Sequence, residues 1–148
     1  MEKWFENFLE LLNKHSVAYL IIGGFAVGYH GYPRYTGDID VWIDPSEETA
    51  DKMMRVMEEF GFGKDFIRED FLKLDSFMQI GFPPSKIDLL CSAKGVNFKE
   101  CYARKITEQT IERGTILYFI SLADLIANKK AVGRSRDLID LENLPGIA

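Results

Sequence analysis

Cysteine and histidine are scarce in this sequence, and it has no long hydrophobic run. The 148 residues include 2 cysteines, Cys91 and Cys101, and 2 histidines, with no CxxC pair or Cys/His cluster. We therefore expect reduced thiols in a cytoplasmic protein. The longest apolar run, residues 17–29, contains three glycines and is too short to cross a bilayer. No basic segment leads into an apolar stretch at the N-terminus, so we expect no membrane partner.

Basic residues are in the minority, and charge is unevenly distributed along the chain. The sequence has 18 Lys and Arg against 23 Asp and Glu. This net charge of −5 argues against a protein that coats nucleic acid without sequence preference. Residues 1–93 carry 9 basic and 16 acidic side chains, whereas residues 94–136 carry 9 basic and 4 acidic ones. The first part fits metal binding and the later part fits a polyanionic ligand, although two differently solvated faces would give the same pattern.

Hydrophobic periodicity predicts a single mixed α/β domain over residues 1–148, without repeats or linkers. The predicted strands span residues 17–22, 38–43, 76–82, 86–91, 105–112 and 115–120. The predicted helices span residues 2–14, 25–29, 45–60, 97–104, a segment opening at 121, and 136–144. In the third helix, Asp44 is expected to be the N-cap, with Pro45 at the first position and Gly61 ending the helix.

Three aspartates are the candidate metal ligands. Asp38 and Asp40 alternate with apolar residues in the second predicted strand, so both carboxylates lie on one face of it. Asp88 lies in an otherwise apolar strand, where an unpaired charge is costly. If these strands are neighbours, the carboxylates repel one another unless a cation lies among them, and magnesium prefers such oxygen ligands. Alternatively, Asp88 lies at a sheet edge and pairs with Arg34 or Lys86.

The pair Gly23-Gly24 stands at the predicted junction between the first strand and the second helix. Glycines there let the backbone approach a phosphate, and the first N–H groups of a helix are free to bind it. The sequence has no GxxxxGK[ST] loop, so this is not a Walker A motif. Arg34 and Thr36 could contact phosphate oxygens, but Arg34 could equally neutralise Asp38.

Lys129 lies near the middle of the apolar face of the penultimate predicted helix. A lysine in that position either extends its amine to solvent or points into a site, and we favour phosphate binding. Arg134 and Arg136 follow in the next turn, where we expect them to be solvated or paired with Asp137 and Asp140.

Three segments together form a recognisable pattern. Residues 23–40 read GGFAVGYHGYPRYTGDID, and the pattern continues through residues 81–90 and 124–137. They resemble the nucleotidyltransferase fold shared by DNA polymerase β, kanamycin nucleotidyltransferase and the minimal nucleotidyltransferases. The nearer similarity is to prokaryotic AbiEii-type families, which read GG-x-A-x-x-x-HG-x-x-R-x-T-x-D-[IL]-D. The resemblance covers most of the chain.

This resemblance implies an α+β fold, in which helices flank a mixed β-sheet and two short helices come last. It implies that the three aspartates hold two magnesium ions, which clamp a nucleoside triphosphate and polarise its α-phosphorus. Asp88 would orient or deprotonate the acceptor hydroxyl, while Gly23, Gly24 and Lys129 would hold the β- and γ-phosphates. The implied reaction transfers a nucleoside monophosphate to a hydroxyl on a protein or a tRNA and releases pyrophosphate.

Gly24 departs from the family pattern. Many members carry a serine there, whose hydroxyl contacts the triphosphate, so Gly24 leaves only backbone donors. One alternative is therefore a protein that binds nucleotide without transferring it. Another is a toxin–antitoxin component that acts mainly by binding a partner protein, through exposed parts of Met53, Met54 and Met57 and the aromatic N-terminal helix.

Overall fold

A single six-stranded sheet forms the centre of the fold in the computed structural model, which describes residues 1–146. Its strands are β1 (Tyr19–Ile22), β2 (Asp38–Ile43), β3 (Phe77–Phe82), β4 (Ser85–Leu90), β5 (Ile106–Gln109) and β6 (Ile116–Phe119). Their order across the sheet is β3-β4-β2-β1-β6-β5. All six predicted strands are present, with differences of a few residues at their ends.

Six α-helices accompany the sheet, and they confirm the predicted mixed α/β class. They are α1 (Lys3–Lys14), α2 (Gly23–Tyr29), α3 (Glu47–Phe60), α4 (Phe98–Ala103), α5 (Leu122–Val132) and α6 (Ser135–Asn143). Two short 3-10 helices, Gly63–Asp65 and Arg68–Phe71, follow α3. Among the helices described, none combines the length and apolarity needed to span a membrane.

The pairing pattern places β2 and β4 side by side in the interior of the sheet. β2 is antiparallel to β1 and parallel to β4, and β1 is parallel to β6. The antiparallel neighbours β3 and β5 form the two edges. A parallel pair requires a long connection, which α3, the two 3-10 helices and β3 provide between β2 and β4.

The hydrophobic core lies where the helices pack on the sheet. α1 contacts α3 and β6, while α2 contacts β1, β2 and α5. The inner face of α1 carries Phe5, Phe8, Leu9 and Leu12 at helical spacing, each at most 2% exposed. Burial of a side chain of this size contributes about 1.5–3 kcal/mol. The predicted amphipathic helix at the N-terminus is therefore confirmed.

The start of α3 differs from the prediction. Ser46 is the N-cap: its hydroxyl oxygen accepts a hydrogen bond from the Thr49 backbone N–H at 3.0 Å. The predicted capping role of Asp44 is therefore wrong, because the helix begins after Pro45 and not at it. Gly61 ends the helix as predicted, with a φ of 92° that favours glycine.

Two of the three methionines predicted to form a partner-binding surface on α3 are not exposed. Met53 and Met57 are fully buried, and Met54 is partly buried against the same core. The aromatic residues of the N-terminal helix likewise pack inward, including Phe5 and Phe8. These side chains stabilise the contact between helices and sheet, and they leave little apolar surface for a partner there.

The two cysteines are buried and unpaired with each other. Burial is the main cause that raises the pKa of Cys91 and of Cys101 to about 11, and the carboxylates of Asp44 and Asp124, respectively, add to it. Thiols with such pKa values stay protonated at neutral pH and are poor nucleophiles.

Candidate functional site

A pocket of about 270 Å³ lies beside the interior strands β2 and β4. It is lined by Gly23, Gly24, Arg34, Tyr35, Thr36, Gly37, Asp38, Asp40, Asp88, Lys129, Arg134 and Arg136. All eight residues predicted to bind metal or nucleotide are among them. Because these residues come from β2, β4, α2, α5 and the loop before β2, the fold brings together side chains that are distant in sequence.

The parallel pairing of β2 with β4 sets the positions of the carboxylates. Asp40 lies directly opposite Asp88, and Asp38 lies opposite Lys86. β4 is an interior strand, so the alternative that Asp88 occupies a sheet edge is wrong. The Lys86 amine lies 3.8 Å from the Asp38 carboxylate, so this lysine is the partner of Asp38 and not of Asp88.

Burial and electrostatic repulsion among these aspartates raise the pKa values of Asp40 and Asp88. Burial is the largest cause that raises the pKa of Asp40 to about 7, followed by the charge of Asp88, a hydrogen bond to Asp88 and the charge of Asp38. Burial and the charge of Asp38 also raise the pKa of Asp88, which is 8% exposed. Carboxylates this close repel one another when all are ionised, so without a cation a proton shared between Asp40 and Asp88 is favoured as the pH falls toward 7.

The donor set suits a hard divalent cation. One oxygen of Asp88, Oδ1, is buried and has no hydrogen-bond partner. Gly23 leaves room beside the carboxylates, because a Cβ at this position would overlap the Asp40 carboxylate. Within residues 1–146, no three His, Cys, Asp or Glu side chains are already grouped as metal ligands. The shared proton holds Asp40 and Asp88 together, and a cation would have to displace it.

Lys129 also lines the pocket and is buried, at 4% exposure. Its amine lies 2.9 Å from Asp137 Oδ1 and 3.0 Å from Asp140 Oδ2, so the alternative that it extends to solvent is wrong. The Arg34 guanidinium donates to both oxygens of Asp140, from Nε at 2.7 Å and from Nη2 at 2.8 Å. Arg34 therefore does not neutralise Asp38.

Arg134 completes this network through the first turn of α6. Its Nε donates to Asp137 at 2.8 Å, and its backbone N–H donates to the same carboxylate at 3.1 Å. The predicted pairing of Arg134 with Asp137 is thus confirmed. Burial alone would raise the pKa of Asp137, but the hydrogen bonds from Arg134 and Lys129 outweigh it and lower the pKa to about 2. Asp137 therefore stays ionised and anchors both cations.

The pocket consequently has two walls of opposite charge. The acidic wall consists of Asp38, Asp40 and Asp88, and the basic wall consists of Arg34, Lys129, Arg134 and Arg136. The two carboxylates of α6 neutralise only part of the basic wall, which keeps a net positive charge. Such an arrangement can hold a polyanion and a cation side by side.

Sequence patterns did not predict the role of α6 in this site. Asp137 and Asp140 are each 1% exposed and lie three residues apart, so they share one face of the helix. That spacing is a signal that points to a common partner, but nothing in the sequence identifies the partner as Lys129. Tyr35 and Arg136 also line the pocket without having been nominated for it.

Replacing Gly23 by alanine should destabilise the protein and weaken magnesium binding. Gly23 has a φ of +65°, which costs a non-glycine residue about 1–3 kcal/mol, and the new Cβ would also displace the Asp40 carboxylate. Gly114→Ala is a matched control, because Gly114 has a φ of +67° and open space around it. Urea unfolding and calorimetric titration with magnesium measure both effects. Equal losses in the two variants would contradict a specific contact with Asp40.

Comparison with known structures identifies the fold. It is similar to the crystal structure of a "putative nucleotidyltransferase" from Thermotoga maritima, with a TM-score of 0.61 and 15% sequence identity over 93% of this chain and 88% of that chain. The architecture is therefore the nucleotidyltransferase fold. No curated protein matches the sequence. Residues 2–145 match the family model described as "Nucleotidyltransferase of unknown function (DUF6036)", and the chain belongs to this family.

Proposed function

We propose that the protein transfers a nucleoside monophosphate from a nucleoside triphosphate to a hydroxyl on a macromolecular acceptor, a protein or a tRNA, and releases pyrophosphate. The observation that carries this proposal is the pocket in which three carboxylates face a basic wall. Family membership supports nucleotidyl transfer in general. The nearer relation to AbiEii-type proteins and a toxin–antitoxin role remain predictions, and the surface predicted for the latter is buried.

We further propose that Asp38, Asp40 and Asp88 hold two magnesium ions. The oxygen donors, the unpartnered Asp88 Oδ1 and the mutual repulsion of the carboxylates support this assignment. Bound magnesium would neutralise the phosphate oxygens and polarise the α-phosphorus. The aspartates must give up their shared proton to bind it, so magnesium affinity should rise with pH.

Asp88 is the candidate base for the acceptor hydroxyl. Its Oδ1 is buried and has no hydrogen-bond partner, so this oxygen is free to accept a proton from a hydroxyl group. As the hydroxyl proton moves to Asp88, the acceptor oxygen forms a bond to the α-phosphorus. The bond from the α-phosphorus to its bridging oxygen breaks, and pyrophosphate leaves with that oxygen.

The basic wall keeps donors that its internal ion pairs do not use. Lys129 has three N–H donors and shares two with Asp137 and Asp140. Arg34 uses Nε and Nη2 for Asp140, and its Nη1 lies 3.4 Å from where a Cβ at Gly24 would stand. These free donors support the proposal that Arg34 and Lys129 bind the β- and γ-phosphates.

Thr36 lies beside Gly24, where many members of the family carry a serine. A Cβ at Gly24 would lie 2.9 Å from the Thr36 hydroxyl oxygen, so this hydroxyl takes the space next to the glycine. A hydroxyl group is thus present beside Gly24 even though residue 24 lacks one. We propose that the backbone of Gly23 and Gly24 donates to the triphosphate, and that Thr36, whose hydroxyl donates to the Asp38 carbonyl oxygen at 3.0 Å, turns from it to a phosphate oxygen when the nucleotide binds.

An incorporation assay tests the proposed function. The protein is incubated with magnesium, cell extract and each of the four α-labelled nucleoside triphosphates in turn, and the expected result is a labelled protein or RNA band. The Asp38→Ala, Asp40→Ala double variant should give no labelled band. Equal labelling by this variant, or no labelling and no pyrophosphate release by the wild type, would contradict the proposal.

A further inference from the structure

Tyr35 stands apart from the other residues of the pocket. Of the pocket-lining residues in the described part of the chain, it alone carries a large apolar ring, since the others are charged, hydroxyl-bearing or glycine. The side chain is 83% exposed, so its ring is open to a ligand. Its hydroxyl lies 3.2 Å from where a Cβ at Gly37 would stand, at the loop that leads into the acidic wall.

The size of the pocket limits what it can enclose. Its volume of about 270 Å³ is below the roughly 300–1,000 Å³ of pockets that bury most of a drug-sized ligand. The charged lining suits a triphosphate with its cations. We therefore expect the nucleoside half of the ligand to extend to the mouth, where the exposed Tyr35 ring is the apolar contact.

We propose that Tyr35 is the stacking platform for the base of the incoming nucleoside triphosphate, an inference that rests on the proposed function. Its neighbours Arg34 and Thr36 line the same pocket and are proposed to contact the phosphates, so the exposed ring lies next to the phosphate contacts and is available to the nucleoside. Every base has a π-face, so stacking on one ring binds all bases without reading their edges. The four nucleoside triphosphates should therefore depend on Tyr35 to a similar extent.

Calorimetry with two probes separates base recognition from phosphate recognition. The probes are α,β-methylene-ATP, in which a carbon bridge replaces the oxygen at the bond to be broken, and inorganic tripolyphosphate, each with magnesium. Tyr35→Ala should weaken binding of the nucleotide by about 5- to 150-fold and leave tripolyphosphate binding unchanged. Tyr35→Phe keeps the ring and should bind both probes like the wild type.

Phe82→Ala is the matched control, because Phe82 is equally exposed, at 84%, and lies outside the pocket lining. It should bind both probes normally. Unchanged nucleotide binding by Tyr35→Ala would overturn the stacking proposal. It would also be overturned if, in a parallel titration with a short single-stranded RNA, the variant lost affinity for the RNA alone, because the ring would then contact the acceptor. A wild-type protein that binds neither probe would contradict the proposed function itself and the stacking proposal with it.

Discussion

Replacing Asp40 by asparagine should lower nucleotidyl transfer by about 100- to 1,000-fold and yet make the metal-free protein more stable at pH 8. The activity falls because the acidic wall loses one preorganised charge. Removal of a single preorganised electrostatic group from an active site typically lowers kcat by about 100- to 1,000-fold. The gain in stability follows because asparagine is neutral and its amide can donate to Asp88, as protonated Asp40 does. The two effects have opposite signs, which distinguishes a functional carboxylate from a structural one.

The pH dependence of stability follows from the same pKa. Folding raises the pKa of Asp40 from 3.8 to about 7, so the folded state binds the proton more tightly than the unfolded state. The stabilising effect of that proton is fully present below pH 4 and is lost as pH rises to about 7. A shift of this size corresponds to about 4 kcal/mol. The stability advantage of Asp40→Asn should therefore grow between pH 4 and pH 7.

Thermal and urea unfolding across this pH range, with and without magnesium, measure the effect. Magnesium should stabilise the wild type at pH 8 and have little effect on Asp40→Asn. Asp65→Asn is the control, since Asp65 is exposed and lies outside the pocket. A metal-free Asp40→Asn variant that is less stable than the wild type at pH 8 would show that this pKa assignment is wrong.

Asp140→Ala should destabilise the protein by about 3–5 kcal/mol. The substitution leaves the Arg34 guanidinium without its bidentate partner and removes one of the two carboxylates bound to the buried Lys129 amine. Breaking a buried ion pair by removing one partner has a cost of this order, because the remaining charge stays buried and uncompensated. Triphosphate binding should also weaken, since Arg34 and Lys129 lose their fixed positions.

Asp51→Ala provides a control of matched geometry. The Arg68–Asp51 pair has the same Nε to Oδ1 distance, 2.7 Å, as the Arg34–Asp140 pair. Its carboxylate side chain is 53% exposed, whereas that of Asp140 is 1% exposed, so solvent screens the first pair and not the second. Urea unfolding of the two variants measures the difference. Similar small losses in both would contradict a structural role for the buried network.

The acidic wall could be predicted from sequence because it depends on strand geometry. Alternation placed Asp38 and Asp40 on one face, and the apolar surroundings of Asp88 identified it as an interior charge. The parallel register then brings Asp40 opposite Asp88, as expected for neighbouring strands. The acidic wall thus follows from the alternation of side chains along β2, the apolar surroundings of Asp88 and the assumption that β2 pairs with β4.

The basic wall could be predicted only in part, because its geometry depends on how α6 docks. Lys129 was nominated from its place on an apolar helix face, but the carboxylates that fix it lie on another helix. The predicted cap at Asp44 failed for a more local reason. Ser46 offers a hydroxyl two residues further on, with the geometry to accept from Thr49, and a sequence that contains both candidates does not choose between them.

The Arg34–Asp140 pair joins residues that are 106 positions apart in the sequence. During synthesis on the ribosome, Arg34 is therefore made well before its partner. Chains grow at roughly 5–20 residues per second, and their N-terminal parts fold first. Strand β4 is complete at Leu90, whereas α6 ends at Asn143, so both acidic strands are synthesised a few seconds before α6. Until α6 is made, Arg34 and Lys129 have no carboxylate from it to hold them, so docking of α6 is the step that fixes both cations beside the pocket.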